Sequence, residues 1–169
     1  MAVDWEAIYR EAWSDLVGYL YHKVWDEERA RDLAQEAFVR ALDSEPDNPR
    51  SWLFTIATNL ARDEARGAAR RRRHLTLLRT ESPVAADPPD VIRDLDRRER
   101  AERVRSALDL LGDRDREVLL LHQAGLDYGE IAARSGLSRG SVGTTLSRAR
   151  RRLLDAYREL EEGRDAARG

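Results

Sequence analysis

Apolar residues recur along this chain at intervals of three and four and almost never at two. Trp5, Ile8, Tyr9, Trp13, Leu16 and Leu20 fall on one side of a helical wheel, the mark of an amphipathic α-helix rather than a strand. Ala30, Leu33, Ala34, Ala37, Phe38 and Leu42 repeat the pattern and predict a second helix over 26–43. Ser44-Glu45-Pro46-Asp47-Asn48-Pro49 interrupts it, and two prolines so close together mark a boundary. A third helix is predicted from Ser51, which can cap it, carrying Trp52, Leu53, Ile56, Ala57 and Leu60 before it runs on into an arginine cluster.

Periodicity then lapses. Residues 80–92 hold three of the five prolines and three acidic groups without a base, the composition of a linker. It resumes in a charged helix ending near Leu110-Leu111-Gly112. A further helix is predicted from a cap at Asp113, with Val118, Leu119, Leu121 and either His122 or Ala124 inward and Gly125 as its stop. Asp127-Tyr128-Gly129-Glu130 has capping-box spacing and opens a short helix, Tyr128 to Arg134. Ser135-Gly136-Leu137 is a tight turn, and Ser138 can cap a long last helix whose inward positions are Val142, Leu146, Ala149 and Leu153. The pattern is all-α: two small helical domains, 1–79 and 94–160, joined by a flexible linker over 80–93, with residues 161–169 as a disordered tail.

Composition narrows the function. A chain of 169 residues, 37% charged and 41% apolar, has room for one ordinary domain or two small ones. Its longest run of large aliphatics is Val118 to Leu121, and no apolar stretch follows the N-terminus, so a cytoplasmic protein without a secretory signal is expected. With no cysteine, disulfides and thiolate zinc sites are excluded. His22, His74 and His122 stand apart, and no nucleophile elbow, phosphate loop or dinucleotide fingerprint is present. Neither an enzyme, a cofactor nor a metal site is expected. The net charge of −2 conceals segregation: residues 1–50 hold 12 acids and 6 bases, 62–73 hold 6 arginines and 2 acids, and 134–158 hold 7 arginines and 1 acid. Such a division suits an acidic face for one partner and two basic faces for an anion.

A short helix, a glycine turn and a longer arginine-bearing helix form the grammar of the helix-turn-helix. Ile131, Ala132, Leu137, Val142 and Leu146 would form its small core. Arg139, Gly143, Thr144, Ser147 and Arg148 would then turn outward, and Arg150, Arg151 and Arg152 would meet phosphates or a protein surface.

The combined motifs resemble the extracytoplasmic-function sigma factors of bacterial RNA polymerase. The C-terminal half resembles their region 4 in Arg116-Glu117-Val118, Leu126-Asp127-Tyr128-Gly129-Glu130-Ile131-Ala132, Ser141-Val142 and Arg148-Ala149-Arg150. The N-terminal half resembles region 2 in Asp32-Leu33-Ala34-Gln35-Glu36-Ala37-Phe38 and in the run from Trp52 to Asp63. The resemblance implies that Asp32, Gln35, Glu36 and Phe38 belong to a surface for core RNA polymerase, docking on the clamp helices of its largest subunit. A second contact, to the flap of the second-largest subunit, is implied for region 4. It further implies −10 promoter DNA contacts by Trp52, Asn59, Arg62, Asp63, Arg70 and Arg71, with Asn59 and the loop 43–50 near a flipped base. The −35 contacts would come from Arg139, Ser141, Gly143, Thr144, Ser147 and Arg148. Trp52 shares its stripe with Ile56 and Leu60 and is read chiefly as core, with base stacking as the second reading. An anti-sigma protein that hides both DNA faces is also implied.

Thr55, Thr58, Gly143 and Thr145 stand where the family often carries lysine or arginine. Two other readings stay open: a helix-turn-helix regulator that never joins polymerase, and a sigma-like adaptor that binds polymerase without directing initiation.

Overall fold

The structure, a computed structural model, describes residues 2–75 and 91–168, leaving the side chains of 72–75, 91–95 and 168 aside. Among the described residues there are seven helices and no strand: α1 (Trp5–Val24), α2 (Glu27–Ala41), α3 (Pro49–Leu75), α4 (Val91–Asp109), α5 (Asp113–Gln123), α6 (Tyr128–Ser135) and α7 (Arg139–Arg168). Most of the expected linker lies outside the described residues. Its last positions, from Val91, already belong to α4.

Local chemistry sets the boundaries. Asp4 and Asp26 cap α1 and α2 through their carboxylates. Helix α3 starts two residues ahead of expectation. Asn48, not Ser51, is its cap, with Oδ1 accepting from the Ser51 amide at 2.9 Å, and Pro49 fills the first helical position, where a missing N–H costs nothing. At α5 the cap position belongs to Gly112, and Asp113 is the first helical residue. Arg116 closes the preceding corner instead, its guanidinium donating to the carbonyls of Leu108 at 2.9 Å and Asp109 at 3.3 Å. The capping box at α6 forms in full: Asp127 accepts from the Glu130 amide at 2.9 Å and Glu130 accepts from the Asp127 amide at 2.8 Å. Gly136 turns the chain toward α7 at φ +68°, a left-handed conformation that glycine adopts without penalty.

Helices α1, α2 and α3 pack as one bundle, with Leu16, Leu20, Leu33, Leu53 and Phe54 fully buried. Helices α4 to α7 form the second, around Val118, Leu121, Ile131, Val142 and Leu146. The two are not beads on a string, because their buried residues form a single continuous core. Each bundle alone is of a size that buries a modest share of its surface, and joining them raises it.

Beside the two caps at Ser51 and Asp113, three further expectations fail along the helices. Leu42, placed on the buried side of α2, is 56% exposed, because α2 ends at Ala41 and the chain turns away. Trp52 is 40% exposed, with Leu53 and Phe54 taking the core positions beside it. Residues 161–168 do not fray: they extend α7, held to α4 by Arg103–Glu161 at 2.9 Å and Arg164–Glu99 at 2.5 Å.

Leu16→Ala should cost about 2–5 kcal/mol in chemical denaturation, since the side chain is wholly buried within the core cluster. The Arg29–Glu64 pair, 2.7 Å between α2 and α3, holds the Glu64 carboxyl below its usual range, chiefly through that hydrogen bond. A lowered carboxyl contributes stability above its unfolded pKa and loses it as pH falls through the folded one. Glu64→Gln should therefore lower stability by less than about 1 kcal/mol at pH 7. The difference from wild type should shrink below roughly pH 4 and vanish once both states are protonated.

Candidate nucleic-acid interface

The helix-turn-helix core forms as expected: Ile131, Val142, Leu146 and Ala149 are buried, with Ala132 and Leu137 partly so. That leaves Arg139, Thr144, Ser147 and Arg148 exposed on the other side of α7. Ser141 and Gly143, expected beside them, are half-buried. The Ser141 hydroxyl pairs with that of Ser138 at 2.5 Å, and its carbonyl accepts from Thr145 at 2.8 Å. Gly143 lies under the Tyr128 ring, 3.5 Å from where a Cβ would stand. Tyr128 and His122 extend this rim, and Arg150 meets the His122 ring at 3.3 Å. Arg152 turns back to Asp115, while Arg151 stays exposed.

On α3, positions 55, 58, 59 and 62 share one face at helical spacing. Asn59 and Arg62 are exposed on it, and so are Asp63, Arg70 and Arg71 nearby. Asp63 makes a loose 3.9 Å pair with Arg66, and Arg71 lies 3.6 Å from Glu64. Arg72 and Arg73, grouped with them in the sequence, lie outside the described side chains. The exposed Trp52 stands one turn ahead of Thr55 with its ring available for stacking.

The α2 face divides differently from expectation. Asp32 and Gln35 are exposed, and Glu36 pairs with Arg40 at 2.5 Å. Phe38 is only 7% exposed and packs with Tyr9 and Trp13, at ring separations of 5.0 and 6.1 Å. It supports this face from beneath and is not part of its surface. Val39, 65% exposed, and Leu42 take the outward positions. Stepping by four and seven from Gln35 finds both, a signal the motif itself obscures. In the second bundle an open pocket of about 490 Å³ runs between Leu110, Leu111 and Gly112 on one side and Arg152 and Ala156 on the other.

Where the bundles meet, a polar network forms that no motif or spacing foretells. Tyr19, buried on α1, donates to Glu117 Oε1 on α5 at 2.6 Å. Lys23, the one lysine, donates to the other oxygen. With the Tyr19 proton committed, Thr58 donates either to the Tyr19 oxygen at 2.8 Å or to the Phe54 carbonyl at 2.7 Å. Its own oxygen accepts from Arg134 at 2.8 Å. Burial first, then the Glu117 charge, push the Tyr19 phenol far above its usual range, so it remains a donor at any physiological pH. Burial also lowers the Arg134 guanidinium, and Arg62 adds to that. At the end of α1, Trp25 adopts a left-handed φ of 56°, a strained choice for a bulky residue, with the Arg105 guanidinium 5.6 Å from its ring. No group of three His, Cys, Asp or Glu among the described residues is arranged to hold a metal ion, and no described helix is long and apolar enough to cross a membrane.

Known proteins share this plan. Residues 8–71 match the family Sigma-70 region 2, and residues 101–153 match Sigma-70, region 4. The chain is 31% identical over 174 residues to the RNA polymerase sigma factor YlaC of Bacillus subtilis, covering 96% of this chain and 95% of that one. It is 36% identical over 132 residues to the ECF RNA polymerase sigma factor EcfG of Rhodopseudomonas palustris, covering 75% and 70%. Among solved structures, CnrH in complex with the cytosolic domain of CnrY superposes with a TM-score of 0.61 at 28% identity, covering 90% of this chain and 88% of that one. Region 2 on α1–α3, region 4 around the helix-turn-helix and full-length relatives agree: the chain belongs to the extracytoplasmic-function sigma factors of bacterial RNA polymerase.

Proposed function

We propose that this sigma factor divides its work among three surfaces. The face Asp32, Gln35, Glu36, Val39 and Leu42 docks on the clamp helices of core polymerase, where acidic groups select a basic partner and the two aliphatics supply desolvated area. The pocket at Leu110 and Leu111 receives the flap. Helix α7 reads the −35 element through Arg139, Thr144, Ser147 and Arg148, with Ser141 and Gly143 shaping the helix start rather than reaching bases. On α3, Asn59 offers donor and acceptor to a base edge of the −10 element, Trp52 stacks, and Arg62, Arg70 and Arg71 track phosphates while Asp63 flanks them.

The observation that carries this reading is the conjunction, in one chain, of an exposed amide face on α3 and an arginine-bearing recognition helix whose core is correctly formed. Nucleotidyl transfer belongs to the polymerase, so the chain performs no covalent chemistry and needs no cofactor. Its place of action is the cytoplasm, where polymerase meets the chromosome. CnrH is bound by a second protein, the cytosolic domain of CnrY. By that likeness and the family resemblance, this chain takes an anti-sigma partner that covers the DNA faces.

Run-off transcription from a pooled promoter library with purified core polymerase tests the proposal. Specific transcripts should depend on the chain, and Asn59→Ala or Arg148→Ala should each reduce them about tenfold or more. Polymerase binding with no transcripts would favour an adaptor instead, and duplex binding with no polymerase binding would favour a free-standing regulator.

A further inference from the structure

The α3 face that carries Asn59 and Arg62 opens into a cleft of about 1120 Å³ between the bundles. Its walls hold six lysine and arginine side chains against three acids, and much of that excess is uncompensated. Lys23 is committed to Glu117, and Arg116 to the carbonyls of Leu108 and Asp109. Arg62 from α3, Arg105 from α4 and Arg114 from α5 are exposed and make no ion pair among the described residues. Arg134, half-buried at the end of α6, donates to the Thr55 and Thr58 hydroxyls, neutral acceptors that leave its charge unmatched at contact. Burial lowers its guanidinium most; Tyr19 and Glu117 raise it, and Arg62 lowers it again. Two like charges therefore feel each other across the cleft with no anion between them. Among the acids of the wall, only Asp113 lacks an ion pair.

Charges of one sign in a cleft with low-dielectric walls concentrate the field for an anion. Guanidinium forks match phosphate oxygens in pairs, and forks from four different helices suit a chain of phosphates better than a single one. The same cleft has an aromatic wall. Trp25 lines it, half-buried, on a left-handed backbone that a bulky residue adopts only under strain. Tyr21 and His22 brace the indole edge-on at 5.5 and 5.3 Å, and the Arg105 guanidinium lies 5.6 Å from its ring. An indole beside a guanidinium is a flat, polarisable shelf of the kind on which a nucleobase stacks. The volume is near the upper end of small-molecule pockets, enough for a nucleotide and its water.

We propose that the junction cleft is a binding site for a nucleoside polyphosphate, its phosphates held by Arg62, Arg114 and Arg134 and its base laid against Trp25 and Arg105. The site does not depend on α3 being the −10 reader, and it is tested on the full chain with neither DNA nor polymerase. Isothermal titration with ATP, and separately GTP, in magnesium-free buffer of low ionic strength should show saturable binding of one or both at a single site per chain. The affinity should fall as sodium chloride is added. A ligand that touches both bundles should also raise Tm as its concentration rises. Arg62→Gln combined with Arg114→Gln should weaken binding about tenfold or more. Both side chains are exposed and unpaired, so the fold is not at stake. Arg97→Gln combined with Arg158→Gln removes the same charge from exposed positions outside the cleft and should change the affinity less than about twofold. Trp25→Leu should weaken the nucleotide severalfold and leave inorganic tripolyphosphate unaffected. If that variant folds poorly, the native chain decides, since it should bind the nucleotide severalfold more tightly than tripolyphosphate. No saturable binding of either nucleotide, tripolyphosphate binding as tightly as the nucleotide, or equal losses from the two arginine pairs would each overturn the site.

Discussion

The buried hydroxyl of Tyr19 governs how the two bundles meet. A phenol withdrawn from water must give its proton to something, and Glu117, from the other bundle, takes it. Glu117 is in turn neutralised by Lys23 from the same helix as Tyr19, so the carboxylate is held between two donors one turn apart. Thr58 and then Arg134 extend the chain to α6. Tyr19 and Glu117 depend on each other across the junction, whereas Thr58 also has the Phe54 carbonyl of its own helix. A network of this kind specifies one relative orientation of the bundles more sharply than apolar contact could, since apolar surfaces slide and hydrogen bonds do not.

Arginine serves two purposes in this chain, and the structure separates them. Arg50, Arg103 and Arg116 are used inside the molecule, each reaching two or more acceptors, and Arg152 and Arg164 each pair with a carboxylate on another helix. Arg62, Arg70, Arg139, Arg148 and Arg151 are exposed and make no ion pair among the described residues. The charge count of the sequence sums the two groups, which is why a near-neutral protein can present surfaces fit for a polyanion.

Much of the fold is legible in the sequence, and the limits are physical. Helices α2, α5, α6 and α7 follow from three-and-four spacing, and the capping box at Asp127 and the turn at Gly136 from local chemistry alone. Local rules fail where two residues compete for one role: Asn48 over Ser51 as a cap, Phe54 over Trp52 as core. The motif assigns Phe38 to a surface, although its period already places it inside. The junction is out of reach. Tyr19 and Glu117 are 98 positions apart, and no periodicity links them. Thr55 and Thr58 stand in the sequence as neutral residues where a basic one could grip DNA, and only the fold reveals that they receive an arginine instead.

Helix α7 is 30 residues long, about 45 Å at 1.5 Å per residue. Its first turns carry the exposed Arg139, Thr144, Ser147 and Arg148, and its last turns are riveted to α4 by Arg103 and Arg164. It is therefore a lever with its fulcrum in the bundle core at Leu146 and Ala149, much nearer its first turn than its last. A large displacement at α4 becomes a small, stiff one at the first turn of α7. Any pull on α4 is geared down before it reaches Arg139 and Thr144.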